Sequence, residues 1–283
     1  MLGSKLNSAD FNKIINLNLT KTKTKILITT IIAGITILIN SCCYELGSIR
    51  GYGPSIDTTV NVEYVTGINI EGSIDVEVIP SDSFKVVIVA QENIARTIMI
   101  EVFGGVANVG YKPHINVIPT SMTKVVFYMP ELYSLSIDGS GDIYLFEGFE
   151  IDDNFTVKIN GSGDIVIDEI ICNKYSSEIN GSGDIEAYVV ASEISSVIRG
   201  SGDLKYWGTT PLHAIRISGS GNIEAFELYT ESTFVDIDGS GNAYVWAENL
   251  LDVFISGSGN VTYKGNPQLN IEITGSGNVN VWK

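Results

Sequence analysis

Phe155-Thr156-Val157-Lys158-Ile159-Asn160-Gly161-Ser162-Gly163-Asp164-Ile165-Val166-Ile167-Asp168 decides the fold. Apolar and polar residues alternate on both sides of a central Gly-Ser-Gly, so each arm reads as a short strand with one buried face. Gly-Ser-Gly followed by Asp or Asn occurs eight times, beginning at Gly139, Gly161, Gly181, Gly200, Gly219, Gly239, Gly257 and Gly275. The intervals are 22, 20, 19, 19, 20, 18 and 18 residues, and these copies hold 16 of the 29 glycines. A period this short and steady means one supersecondary unit per repeat.

Two architectures can use this frame. In a parallel β-solenoid the motif is a corner and each repeat of about 19 residues is one coil, stacked about 4.8 Å from the next. In a meander or sandwich the motif is a hairpin loop. Identical residues at near-constant spacing favour the solenoid, because like then stacks upon like. A meander gives no reason to keep Ser and Asp/Asn at every second turn. A propeller blade needs about 40–50 residues, and an outer-membrane barrel strand about 9–11, so both fit poorly. If alternation runs through the corner, Ile159, Gly161, Gly163 and Ile165 face inward while Ser162 and Asp164 face outward. The absent side chains would then let the wall bend or the opposite wall approach. A corner that breaks parity would instead put a Ser ladder inside.

Outside the repeats the chain divides further. Lys21, Lys23 and Lys25 precede the apolar run from Ile26 to Ile39, which ends in Asn40-Ser41-Cys42. The run is short for a membrane span and right for a signal-peptide core. Its end resembles the lipobox of bacterial lipoproteins, which implies cleavage before Cys42 and lipidation there. Residues 1–41 are therefore expected as a lipoprotein signal peptide and 42–59, with Gly47, Gly51, Gly53 and Pro54, as a tether. Residues 60–283 form a single head, with irregular strands over 60–130 and the repeats over 131–283. Removing the leader's five Lys and one Asp takes the net charge from −16 to −20. Such acidity excludes nucleic acid and anionic lipid surfaces as partners. The 44% apolar content excludes a disordered acidic chain. Three cysteines make no disulfide framework; Cys43 is incidental, and Cys172, within Ile170-Ile171-Cys172, reads as a buried apolar residue.

Strand-like runs also cover Ile68 to Val78, Phe84 to Ala90, Thr97 to Phe103 and Lys124 to Met129. Gly72-Ser73-Ile74-Asp75-Val76 looks like a degenerate motif copy, with Ile in place of the second Gly. Together with Phe103-Gly104-Gly105-Val106, Met129-Pro130-Glu131-Leu132 and Leu135-Ser136-Ile137-Asp138-Gly139-Ser140-Gly141-Asp142, this order resembles the putative auto-transporter adhesin, head GIN domain family, over about residues 60–283. The resemblance implies an all-β, right-handed parallel β-helical head on a lipoprotein or secreted chain. It brings no catalytic residues and no established ligand.

The residues after the corners supply the chemical candidates. Asp142, Asp164, Asp184 and Asp203 give way to Asn222, Asn242, Asn260 and Asn278 along the stack. The four carboxylates could bind calcium between coils, as in shorter calcium-binding repeats, or serve as turn residues bonded to backbone. The turn role is expected, with no cofactor. His114 and His213, each beside Pro, are expected at the surface or in turns. Tyr144, Tyr188, Tyr206, Trp207, Tyr244, Trp246, Tyr263 and Trp282 would divide between core filling and a sugar- or protein-binding face. The sequence therefore reads as a non-enzymatic, lipid-anchored adhesin or scaffold of the bacterial envelope, an outer-membrane lipoprotein meeting a protein or glycan. The alternatives are a β-helical polysaccharide lyase, which would need clustered bases among Lys158, Lys174, Arg199, Lys205 and Arg216, and an element self-associating through its solenoid ends.

Overall fold

The computed structural model describes residues 47–283, so the expected signal peptide, Cys42 and Cys43 lie outside the described residues. Strand pairing decides between coil and hairpin. Ile165–Gly181, Ile185–Gly200, Leu204–Gly219, Ile223–Gly239 and Ala243–Ile255 each run most of the way from one motif to the next. Each pairs in parallel with its successor, with Gly181 opposite Gly200, Gly200 opposite Gly219 and Gly219 opposite Gly239. The chain is an all-β parallel solenoid with one coil per repeat. The ladder is more continuous than two short strands per repeat, because each coil offers the next a nearly full row of N–H and C=O groups.

The corner glycines are explained by this stacking. A Cβ on Gly161 would overlap the carbonyl oxygen of Gly139, and one on Gly163 would overlap that of Gly141; the same clash recurs in every later coil. The missing side chains thus make room for the preceding coil, not for the opposite wall. Gly181 also has φ +152°, a conformation L residues rarely adopt. Parity does run through the corner: Ser162, Ser182 and Ser201 are exposed, while Gly163, Gly183 and Gly202 are buried. A Ser ladder inside the coil is excluded. Gly72 pairs with Gly139, so the degenerate copy is a true member of the stack.

Inside, like residues stack in columns. Ile159, Ile179, Ile198, Ile217, Ile237 and Ile255 form one, all fully buried. Each such side chain contributes about 1.5–3 kcal/mol by leaving water. Phe155 and Tyr175 stack at 6.1 Å in another column, which continues through Ile194 to His213 and Thr233. His213 is therefore interior, contrary to the turn position expected beside Pro211. It alternates with Ile215 and Ile217, and that phase places it in the core. His114 is exposed.

The first regular coil rests on mixed strands. Gly67–Gly72 pairs in parallel with Ser134–Gly139 and Val106–Tyr111, which is antiparallel to Ile98–Phe103 across the Gly104-Gly105 turn. On the other wall Asp75–Pro80 is parallel to Lys124–Met129, followed by antiparallel Lys85–Gln91 and Ser55–Val60. Residues 55–59 of the expected tether, with Val60 of the head, form the strand Ser55–Val60, which completes this wall. At the far end Leu269, Ile271 and Ile273 are 42%, 45% and 38% exposed, although Leu251, Val253 and Ile255, their partners one coil earlier, are buried.

Candidate functional site

The Asp/Asn column is a backbone-capping ladder. Asp142 Oδ1 accepts the N–H of Asp164 at 2.9 Å, Asp164 Oδ1 that of Asp184 at 2.8 Å, and Asp184 Oδ1 that of Asp203 at 2.7 Å. Asp203 Oδ1 accepts both the backbone and side-chain N–H of Asn222, at 2.7 and 3.0 Å. Asn222 repeats the double contact with Asn242, and Asn242 with Asn260. The partner is the next coil's backbone rather than the residue's own turn. Partial burial raises the Asp164 carboxyl above its ordinary pKa; the bonded Asp184 N–H opposes this, and neighbouring acids add to it. Among the described residues, no group of three or more His, Cys, Asp or Glu is arranged to hold a metal ion.

A second feature breaks the regularity of the outer wall. Ala225 and Tyr229 pair with the adjacent residues Val245 and Trp246, so Phe226-Glu227-Leu228 has no counterpart in the next coil. Phe226 points outward by alternation from buried Ala225, and the bulge lets the chain turn back in at Leu228. The Phe226 ring lies 5.5 Å from Tyr244 and 5.0 Å from Trp282, centroid to centroid. Together with Trp207, these rings bound a groove of about 300 Å³, whose polar lining is Lys205, Glu224 and Glu227. Bulges recur where a strand must re-aim a side chain, and this one borders an aromatic cleft.

Lysines already engage the rings. Lys205 Nζ sits 4.8 Å above Trp207, and Lys264 Nζ lies 4.9 Å from Phe226 and 5.9 Å from Trp246. Lys264 also pairs with Glu227 at 3.1 Å. Trp246 donates its Nε1–H to Glu248 at 2.7 Å and meets Tyr229 edge-on at 5.3 Å.

The aromatic candidates divide by phase. Trp207, Tyr244 and Trp282 share the groove, and Trp246 adjoins it through Lys264. Tyr188 is exposed and stands opposite Trp207 one coil earlier, Tyr144 stacks on Phe146 at 6.2 Å, and Tyr263 is half-buried. Tyr206 is 1% exposed: it lies in the interior beneath the groove, with its hydroxyl 2.6 Å from Ser177. Phe226 was missed. Two signals mark it: it stands four residues after Asn222, as Trp207, Trp246 and Trp282 stand after their own motifs, and it occupies a 20-residue repeat followed by an 18-residue one.

The basic candidates are dispersed as ion pairs. Lys158 and Arg199 both face Glu178, at 3.8 and 2.7 Å; Lys174 pairs with Glu193 at 2.6 Å, Lys205 with Glu186 at 3.9 Å and Arg216 with Asp236 at 3.7 Å. Cys172 is buried as expected, and burial pushes its thiol up to about 11, away from nucleophilic use at neutral pH.

Three solved structures share this architecture, each with a TM-score of 0.77. A protein titled putative lipid binding protein, from Parabacteroides distasonis ATCC 8503, is 27% identical and aligns over 83% of this chain and 100% of its own. Putative adhesins from Parabacteroides merdae ATCC 43184 and Parabacteroides distasonis ATCC 8503 are 20% and 24% identical; they cover 84% and 83% of this chain and 100% of their own, and support the fold alone. No curated protein matches the sequence. Residues 65–267 match the family described as putative auto-transporter adhesin, head GIN domain, and the chain belongs to that family.

Proposed function

We propose that this protein is a non-enzymatic adhesin of the bacterial envelope, held by a lipid on Cys42, whose solenoid presents the aromatic groove to a surface ligand. The observation that carries the reading is the groove itself: next to the bulge at Phe226, four aromatic rings come together at one place on the outer wall. Membership of an adhesin-head family supports a surface role. The pairing of Lys158, Lys174, Arg199, Lys205 and Arg216 with carboxylates speaks against a lyase, because proton abstraction needs a base free to act. The reading assigns no cofactor. One oxygen of each of Asp142, Asp164, Asp184 and Asp203 already serves the next coil, so calcium is not assigned a role in adhesion.

Beads coated with the full chain should bind bacterial or epithelial cell surfaces saturably, with or without Ca²⁺. A Phe226→Ala/Tyr244→Ala variant should not bind. Coated beads that bind no better than bare beads, or a variant that binds like the wild type, would refute the adhesive groove. Turnover of an acidic glycan by the purified chain would refute the non-enzymatic reading.

A further inference from the structure

On the reading that the groove is the adhesive site, we propose that it takes a neutral pyranose unit of a surface glycan. The rings of Trp207, Phe226, Tyr244 and Trp282 offer flat apolar faces for the C–H faces of a sugar, while Glu224 and Lys205 can accept from and donate to its hydroxyls. The volume of about 300 Å³ lies at the small end of ligand clefts and suits a mono- or disaccharide.

Charge selects the neutral ligand. Lys205 over Trp207 and Lys264 over Phe226 set two cations at the groove that repel a ligand ammonium, while the rings of Tyr244 and Trp282 carry no lysine among the described residues and stay open to the sugar. An anionic sugar or phosphate meets the opposite problem. Lys264 is paired with Glu227 and Lys205 lies near Glu186, while Glu224 has no cationic partner within 4 Å among the described residues. The chain also carries a net charge of −16. A wholly apolar ligand would strip water from Glu224 without replacing its hydrogen bonds. A hydroxylated ring replaces them.

All three tryptophans of the chain line or adjoin the groove, so intrinsic fluorescence reports on this site. Full-length protein is titrated with maltose, cellobiose and methyl α-mannoside up to ~10 mM, ten times a Kd of about 1 mM. At least one should give a saturable change. Phe226→Ala should weaken that binding at least tenfold and Glu224→Gln at least threefold. Phe254→Ala, on a separate shallow face with Arg216 and Phe234, should leave it unchanged. Tetramethylammonium, glucuronate and phosphatidylcholine vesicles should give no saturable change. The proposal falls if no neutral sugar saturates the signal, if only a charged probe or the vesicles do, or if Phe226→Ala and Glu224→Gln both titrate like the wild type. Groove-dependent bead adhesion without sugar binding would overturn the sugar and leave the adhesive reading standing. Sugar binding without bead adhesion would do the reverse.

Discussion

Acid should weaken this fold through one buried imidazole. His213 is fully enclosed; its Nε2 lies 2.9 Å from Ser196 Oγ and its Nδ1 has no hydrogen-bond partner. Burial pushes its pKa from 6.5 down to about 3. Between those values the unfolded chain binds a proton that the folded chain refuses. Stability therefore rises with pH across this window: it is fully present above about pH 6.5 and is lost progressively as the pH falls toward 3. At pH 5 the loss relative to pH 7 works out at about 2 kcal/mol, roughly a thirtyfold change in the folding equilibrium. Urea unfolding at pH 7 and pH 5 would measure it, for the wild type and for His213→Gln, which keeps a polar partner for Ser196 but cannot titrate. The packing cost of the substitution is present at both pH values and cancels, as do the carboxylates and exposed His114 shared by both proteins. The wild type should lose about 2 kcal/mol more than the variant. Equal losses would show that His213 is not held neutral by burial, and the reasoning would fail.

The corner makes a paired prediction. Gly183→Ala drives a Cβ into the Gly163 carbonyl and should destabilise by about 3 kcal/mol or more, whereas exposed Ser182→Ala should change stability by no more than about 0.5 kcal/mol. Chemical denaturation ranks the two, and a tolerated Gly183→Ala would contradict the stacking explanation. Asp164→Asn tests the ladder. The folded pKa of Asp164 is raised, so its environment favours the protonated form at low pH and penalises the charged form once the pH exceeds that pKa. The amide should therefore raise Tm at pH 7 and give no gain at pH 3. A lower Tm at pH 7 would count against this account.

Much of the molecule was legible along the chain because β structure has a period of two. The spacing of the motif gave the coil length, and the recurrence of identical residues pointed to parallel stacking. Counting on from each Asp or Asn separates outward Trp207 from inward Tyr206, and counting back from Gly219 places His213 with Ile217 and Ile215. Pro211, two residues before His213, suggests a turn, but the phase of the following strand prevails.

Other features depend on what lies one coil away. The glycines are required by the carbonyls of Gly139 and Gly141 beneath them, and the Asp column by the N–H groups of the following coil. The groove depends on neighbours most of all. A 20-residue repeat followed by an 18-residue one shows that two residues are extra, but pairing decides where: Phe226-Glu227-Leu228 bulges between Ala225 and Tyr229, and the next coil regains one residue opposite Glu231. Only then does Phe226 meet Tyr244 and Trp282, residues 18 and 56 positions further along the chain. Local alternation thus determined which way a side chain points within each unbroken wall segment. Register between coils, a property of long-range hydrogen bonding, decided which side chains meet.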